Sequence, residues 1–144
     1  MEYDKFSHDF ISRCLENYKN LVTKTEFNVT LSITTLLTIC CVIKSDNKAN
    51  SERDNILSKL KENLDGLFEK YHSLKTNGET YKTISDIRNG FAHMIENNLK
   101  VMSNEEKQIT AVKFKSNNMA TEQEASVDDI HHFLLDLYEM IKKA

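Results

Sequence analysis

Proline is missing from the 144 residues, and only three glycines are present. A chain with so few breaks is not built from frequent tight turns, and long uninterrupted helices are expected. Arginine is scarce as well, limited to Arg13, Arg53 and Arg88. The formal net charge is −3, which excludes a chain that coats nucleic acid by bulk charge; any such contact needs a local positive patch. The three cysteines, Cys14, Cys40 and Cys41, are odd in number with two adjacent, which excludes a simple disulfide framework. All three fall on apolar helical positions and read as buried free thiols in a reducing compartment. No Cys or His spacing fits a zinc site, so neither metal nor cofactor is expected.

The opening Met1-Glu2-Tyr3-Asp4 is acidic where a secretory leader is basic and then apolar, so a cytoplasmic location is expected. The longest run without a charge, Phe27 to Ile43, spans 17 residues and carries several Thr and Ser. It falls short of the roughly 20 strongly apolar residues that a membrane span needs. A central, mostly buried helix is expected there rather than a membrane segment.

What is present is a single domain of ordinary globular composition, 40% hydrophobic and 28% charged. A first helix is expected over residues 3–23, from the stripe Tyr3, Phe6, Phe10, Cys14, Leu15, Tyr18, Leu21 and Val22. The second occupies about 26–44, followed by a polar loop, Ser45 to Asn50. Ser51, with Asp54 three later, suits the capped start of a third helix carrying Ile56, Leu57, Leu60, Leu64, Leu67, Phe68 and Tyr71. Asn77-Gly78 marks a turn. A fourth helix is expected from Thr80 to Asn97, and residues 99–115 read as a β-hairpin. After a polar connection over 116–125, Ser126 and Asp129 cap a last helix with Lys142 and Lys143 at its end. The expected fold is all-α: an up-and-down bundle of four to five helices with a small hairpin between the last two.

The chemistry concentrates in Arg88-Asn89-Gly90-Phe91-Ala92-His93. Arginine holds a phosphate with a fixed fork of donors, and histidine exchanges a proton near neutral pH. Asn89 and His93 are four apart and share a helical stripe, whereas Arg88 lies about 140° from His93 on a regular helix. Three arrangements would unite the pair: a swung arginine side chain, a helix distorted at Gly90, or completion by a second subunit. Gly90 costs a helix about 1 kcal/mol relative to alanine, and close approach of a symmetry mate would account for it. Composition and spacing alone favour a solvated arginine and a half-buried histidine.

An all-α chain of this length with an Arg-Asn-x-x-x-His helix resembles the HEPN domain family, whose hallmark is Arg, four to six residues, then His, often with Asn after the Arg. The first helix, the Glu26-Phe27-Asn28-Val29-Thr30-Leu31 start of the apolar helix, and the hairpin after the motif resemble the small plasmid-encoded branch of that family. The resemblance implies a homodimer whose motif helices meet near the two-fold axis. It also implies metal-independent endoribonuclease activity, with Arg88, Asn89 and His93 catalytic and RNA as substrate. A toxin or phage-defence role would follow, with a possible antitoxin partner; the alternative is a non-catalytic dimer that binds RNA, a nucleotide or a protein. Many toxins of the family carry a tyrosine two residues after the histidine, which a nucleotidyltransferase antitoxin modifies. Ile95 stands there in this chain, which puts that route of regulation in doubt.

Other candidates are weaker. Ser7-His8-Asp9 lists triad residue types, but sequence neighbours point apart on a helix. His131-His132 are consecutive and ill placed to chelate one ion. His72 reads as solvent-facing, and the Lys and Glu runs of the third helix as a solvated face.

Overall fold

A computed structural model describes residues 6–26, 28–49, 55–93 and 99–143. Five helices, α1 (Phe6–Leu21), α2 (Asn28–Ala49), α3 (Ile56–Lys70), α4 (Thr80–Ala92) and α5 (Val127–Lys143), enclose one apolar core. A three-stranded antiparallel sheet, β1 (Leu99–Ser103), β2 (Ile109–Phe114) and β3 (Gln123–Ser126), lies between α4 and α5 in sequence, with β2 in the middle. The expected all-α bundle with a small β element is thus the observed fold.

α2 is the central helix, packing against α1, α3, α4 and α5. By length and composition alone it is long and apolar enough to cross a membrane. Its buried residues include Ile33, Leu36, Ile39, Cys40 and Ile43. It also runs five residues further than expected, because Asp46 is not a loop residue. Its carboxylate is buried and accepts from Ser7 Oγ (2.7 Å) and from the Ile56 backbone N–H (2.7 Å), tying α1 and the start of α3 to α2. An acid at a helix N-terminus satisfies an orphan donor and the helix dipole together. The N-cap of α3 is Asn55, whose side chain accepts from Ser58 N at 2.8 Å. The expected start at Ser51 and Asp54 lies outside the described residues.

The buried stripe of α1 is Ile11, Leu15 and Tyr18, continued by Val22, whereas Phe6 and Leu21 are exposed. The stripe is therefore rotated relative to the expected one, and Ile11 takes the place that Phe10 and Cys14 were expected to fill. Of the cysteines, which are all free, Cys40 is buried while Cys14 and Cys41 are half-buried, so the expectation of three buried thiols holds for one.

β3 replaces the expected polar connection. Its only buried residue is Ala125, so no apolar alternation announces it. It forms because β2 offers a free edge and because the 3-10 turn His72–Leu74 receives it from the other side. Gln123 Nε2 donates to the Ser73 carbonyl (2.8 Å), and Ser126 N to Ser73 Oγ (3.0 Å). The β1–β2 turn is built by Asn104, whose side-chain oxygen accepts from the N–H groups of Glu106 and Gln108, both at 3.0 Å. Gly78 occupies the left-handed region at φ 131°, as the Asn-Gly turn required.

Candidate active site

α4 is short and its termini decide what it presents. Ile84, Ile87 and Phe91 bury one face in the core. Asp86 is buried as well, and its oxygens accept from Ser116 Oγ (2.8 Å), Thr76 Oγ1 (2.7 Å) and Lys82 Nζ (2.7 Å). One carboxylate thereby pins α4 to the segment before it and to the segment after β2. A buried charge held this way is tolerated because both oxygens accept hydrogen bonds and one of the donors is a cation.

Gly90 is also buried, in regular helix, so α4 is not distorted there. A Cβ at this position would stand 3.0 Å from Phe114 Cδ2, 3.2 Å from Phe114 Cβ and 3.3 Å from the Lys115 backbone nitrogen. The close approach that Gly90 permits is therefore filled by the chain's own β2 end, with Phe114 set edge-on to Phe91 at 5.2 Å. The symmetry mate expected against Gly90 is corrected to this intrachain contact.

The expected helix to Asn97 ends at Ala92. His93 is its C-cap, with φ −102° and ψ 36°, and is exposed. Its φ departs by about 40° from the helical value, which turns its side chain away from the direction a continuing helix would give it. Residues 94–98, Ile95 among them, lie outside the described residues.

Arg88 and Asn89 occupy the half-buried face that meets α2. Arg88 Nη1 donates to Asn89 Oδ1 at 2.9 Å, and Lys44 Nζ on α2 approaches the same oxygen at 3.5 Å. Burial lowers the pKa of Lys44 most, and the cations Lys48 and Arg88 push it down further, against smaller opposing effects of Cys41 and Asp86. Among the described residues no carboxylate forms an ion pair with Lys44, Lys48 or Arg88. A local positive patch thus exists on an acidic chain, with guanidinium donors left for a ligand. Among the described residues no group of three or more His, Cys, Asp or Glu could hold a metal ion.

The structure joins Arg88 to Asn89 and leaves His93 about one turn further on, at the exposed end of α4. Sequence reasoning missed Asp86 and Lys44. Each carried a signal: Asp86 interrupts the apolar stripe between Ile84 and Ile87, and Lys44 is the first charge after the uncharged run ending at Ile43.

The remaining candidates have structural partners. Ser7 binds Asp46 rather than His8, while His8 Nδ1 lies 3.6 Å from the Asp9 carboxylate. His131 is half-buried, with Nδ1 2.6 Å from Tyr18 Oη, which lies 2.8 Å from Ser32 Oγ. His132 Nδ1 faces the Asp128 carbonyl at 2.8 Å. His72 is exposed, as expected.

The chain matches the family model described as HEPN pEK499 p136 over residues 1–144. No curated protein and no solved structure matches it. With the whole chain matched, the protein belongs to the HEPN family, in a plasmid-encoded branch.

Proposed function

We propose that this HEPN-family protein is a metal-independent endoribonuclease acting as a homodimer in the cytoplasm, with a toxin or phage-defence role. His93 takes the proton from a ribose 2′-hydroxyl, whose oxygen attacks the adjacent phosphorus. The bond to the 5′-oxygen breaks, a 2′,3′-cyclic phosphate forms, and the His93 of a second copy returns a proton to the leaving oxygen. Arg88 carries the charge that gathers on the phosphate, and Asn89 holds the Arg88 guanidinium in place. RNA is cut and DNA spared, because the nucleophile is the 2′-hydroxyl.

The observation that carries this reading is the bonded Arg88–Asn89 pair on a cationic face where no carboxylate among the described residues forms an ion pair, with His93 exposed at the end of the same helix. A second reading, a non-catalytic dimer that binds RNA, a nucleotide or a protein partner such as an antitoxin, is favoured by one feature. His93 stands outside the helix, so α4 does not by itself fix it against Arg88.

Incubation of wild type and His93→Ala with mixed cellular RNA in EDTA separates the two. Cyclic 2′,3′-phosphate ends made by wild type, with cleavage by the variant reduced at least about 100-fold, are expected. Equal cleavage by both would remove His93 from the mechanism, and intact RNA in both would favour the binding module.

A further inference from the structure

We infer that Lys44 is a second phosphate-binding residue of this site, taking the phosphodiester next to the one held by Arg88; this rests on reading the α4 face as an RNA site. α2 turns from core to surface near its C-terminal end: Ile43 is buried, while Lys44 is half-buried and aimed at α4. The Asn89 carboxamide oxygen lies between two cations, 2.9 Å from Arg88 Nη1 and 3.5 Å from Lys44 Nζ. One neutral oxygen orients both groups and cancels neither charge. Lys48 adds a third positive charge one helical turn along α2, and its field acts on Lys44 in the same sense as that of Arg88.

Among the described residues, Asp86 is the carboxylate whose field reaches Lys44, and it is outweighed there by burial and by the cations Lys48 and Arg88; its own oxygens are bonded to Ser116, Thr76 and Lys82. Like charges held together at a half-buried helix junction cost stability, and a bound polyanion removes that cost. A single strand of RNA presents phosphates in succession, so one strand can engage Arg88 and Lys44 at once. Lys44 is placed to hold the strand rather than to react, because His93 stands a turn beyond Asn89 on the other helix.

The test uses the full-length protein and a ten-nucleotide 2′-O-methyl RNA, which keeps every phosphate but lacks the nucleophile. Affinity is read by fluorescence anisotropy between 50 and 200 mM salt, for wild type, Lys44→Gln, Lys44→Arg, Arg88→Gln and, as a control, Lys142→Gln. Thermal melts verify that each variant is folded. Lys44→Gln is expected to bind about tenfold more weakly, with a salt slope lower by about 0.7, the loss of one phosphate contact on a single strand. Lys44→Arg keeps the wild-type slope, and Lys142→Gln matches wild type. A wild-type slope and affinity in Lys44→Gln, with binding lost in Arg88→Gln, would overturn the role of Lys44 and leave the α4 site standing. Wild-type binding in both variants, or no binding by wild type, would overturn both.

Discussion

Two polar networks lie along α2, roughly 18 Å apart by the rise of the helix between Ser32 and Lys44. Near its start, Tyr18, Ser32 and His131 join α1, α2 and α5 through contacts of 2.6 and 2.8 Å, and Ser32 Oγ donates to the Asn28 carbonyl at 2.9 Å. Counting protons orders this network. With the proton of Ser32 given to Asn28, Ser32 accepts from Tyr18, and Tyr18 accepts from His131 Nδ1–H. Each of the three bonds holds one proton, and the chain ends on a carbonyl. Near the other end of α2, Lys44, Asn89 and Arg88 share one acceptor among two cations, with donors to spare. The first network is closed and holds the bundle together; the second is open among the described residues, with donors available to a ligand. That difference separates structural polarity from binding polarity better than residue type does, since a histidine paired with tyrosine and serine resembles catalytic machinery more than an asparagine beside a lysine does.

The largest expected effect comes from a third network, centred on Asp86, two residues before Arg88 on α4. Asp86→Ala leaves Lys82, Thr76 and Ser116 without their shared acceptor, and stability is expected to fall by about 3–5 kcal/mol in denaturant melts. Asp86→Asn, which keeps one acceptor oxygen and presents an amide N–H to the other hydroxyl, is expected to lose less. If Asp86→Ala unfolds like wild type while RNA binding falls, Asp86 belongs to the open network and the boundary drawn here is misplaced.

Tyr18→Phe is the sharper cut through the closed chain, because it deletes one oxygen and keeps the ring in the core. Ser32 loses its donor and His131 its acceptor, which should cost about 1–3 kcal/mol. RNA cleavage per folded molecule is expected to stay at the wild-type level. Loss of cleavage with stability intact would make Tyr18 and His131 the reactive pair and break the comparison outright.

The two networks also differ in how well they could be read from the sequence. Helical periodicity delivered the bundle, since α3, α4 and α5 bury the apolar positions that recur at three- and four-residue steps. Arg88, Asn89 and His93 stood out because few arginines are present and because the motif is local. Lys44 and Asp86 did not, since their meaning depends on partners 45 and 30 positions away. Asp46 misled for the same reason: within Ser45-Asp46-Asn47 it looks like a loop, and only its contacts with Ser7 and Ile56 keep it helical. β3 likewise depends on the β2 edge and on Ser73 rather than on its own pattern. Local periodicity is printed in a sequence; polar closure over long separations is not.

The smallest expected effect is a pH dependence confined to the closed network. Burial depresses the pKa of His131 most, and neighbouring His132 lowers it further, against a smaller opposing effect of Asp128. The groups facing it from α1 and α2, Tyr18 and Ser32, are neutral, so no carboxylate from those helices favours its charged form. The unfolded chain therefore takes up the His131 proton at a higher pH than the folded protein does. Above the ordinary histidine range both states are neutral and the contribution to stability is complete. As pH falls through about 6.5 the unfolded state protonates first, stability declines, and the decline ends once folded His131 is protonated too. Urea midpoints across pH 7.5 to 5 should show this limb in wild type and a shallower one in His131→Gln. An unchanged limb in the variant would assign it to other histidines and leave His131 indifferent to its own charge, which a closed network centred on a neutral ring does not allow.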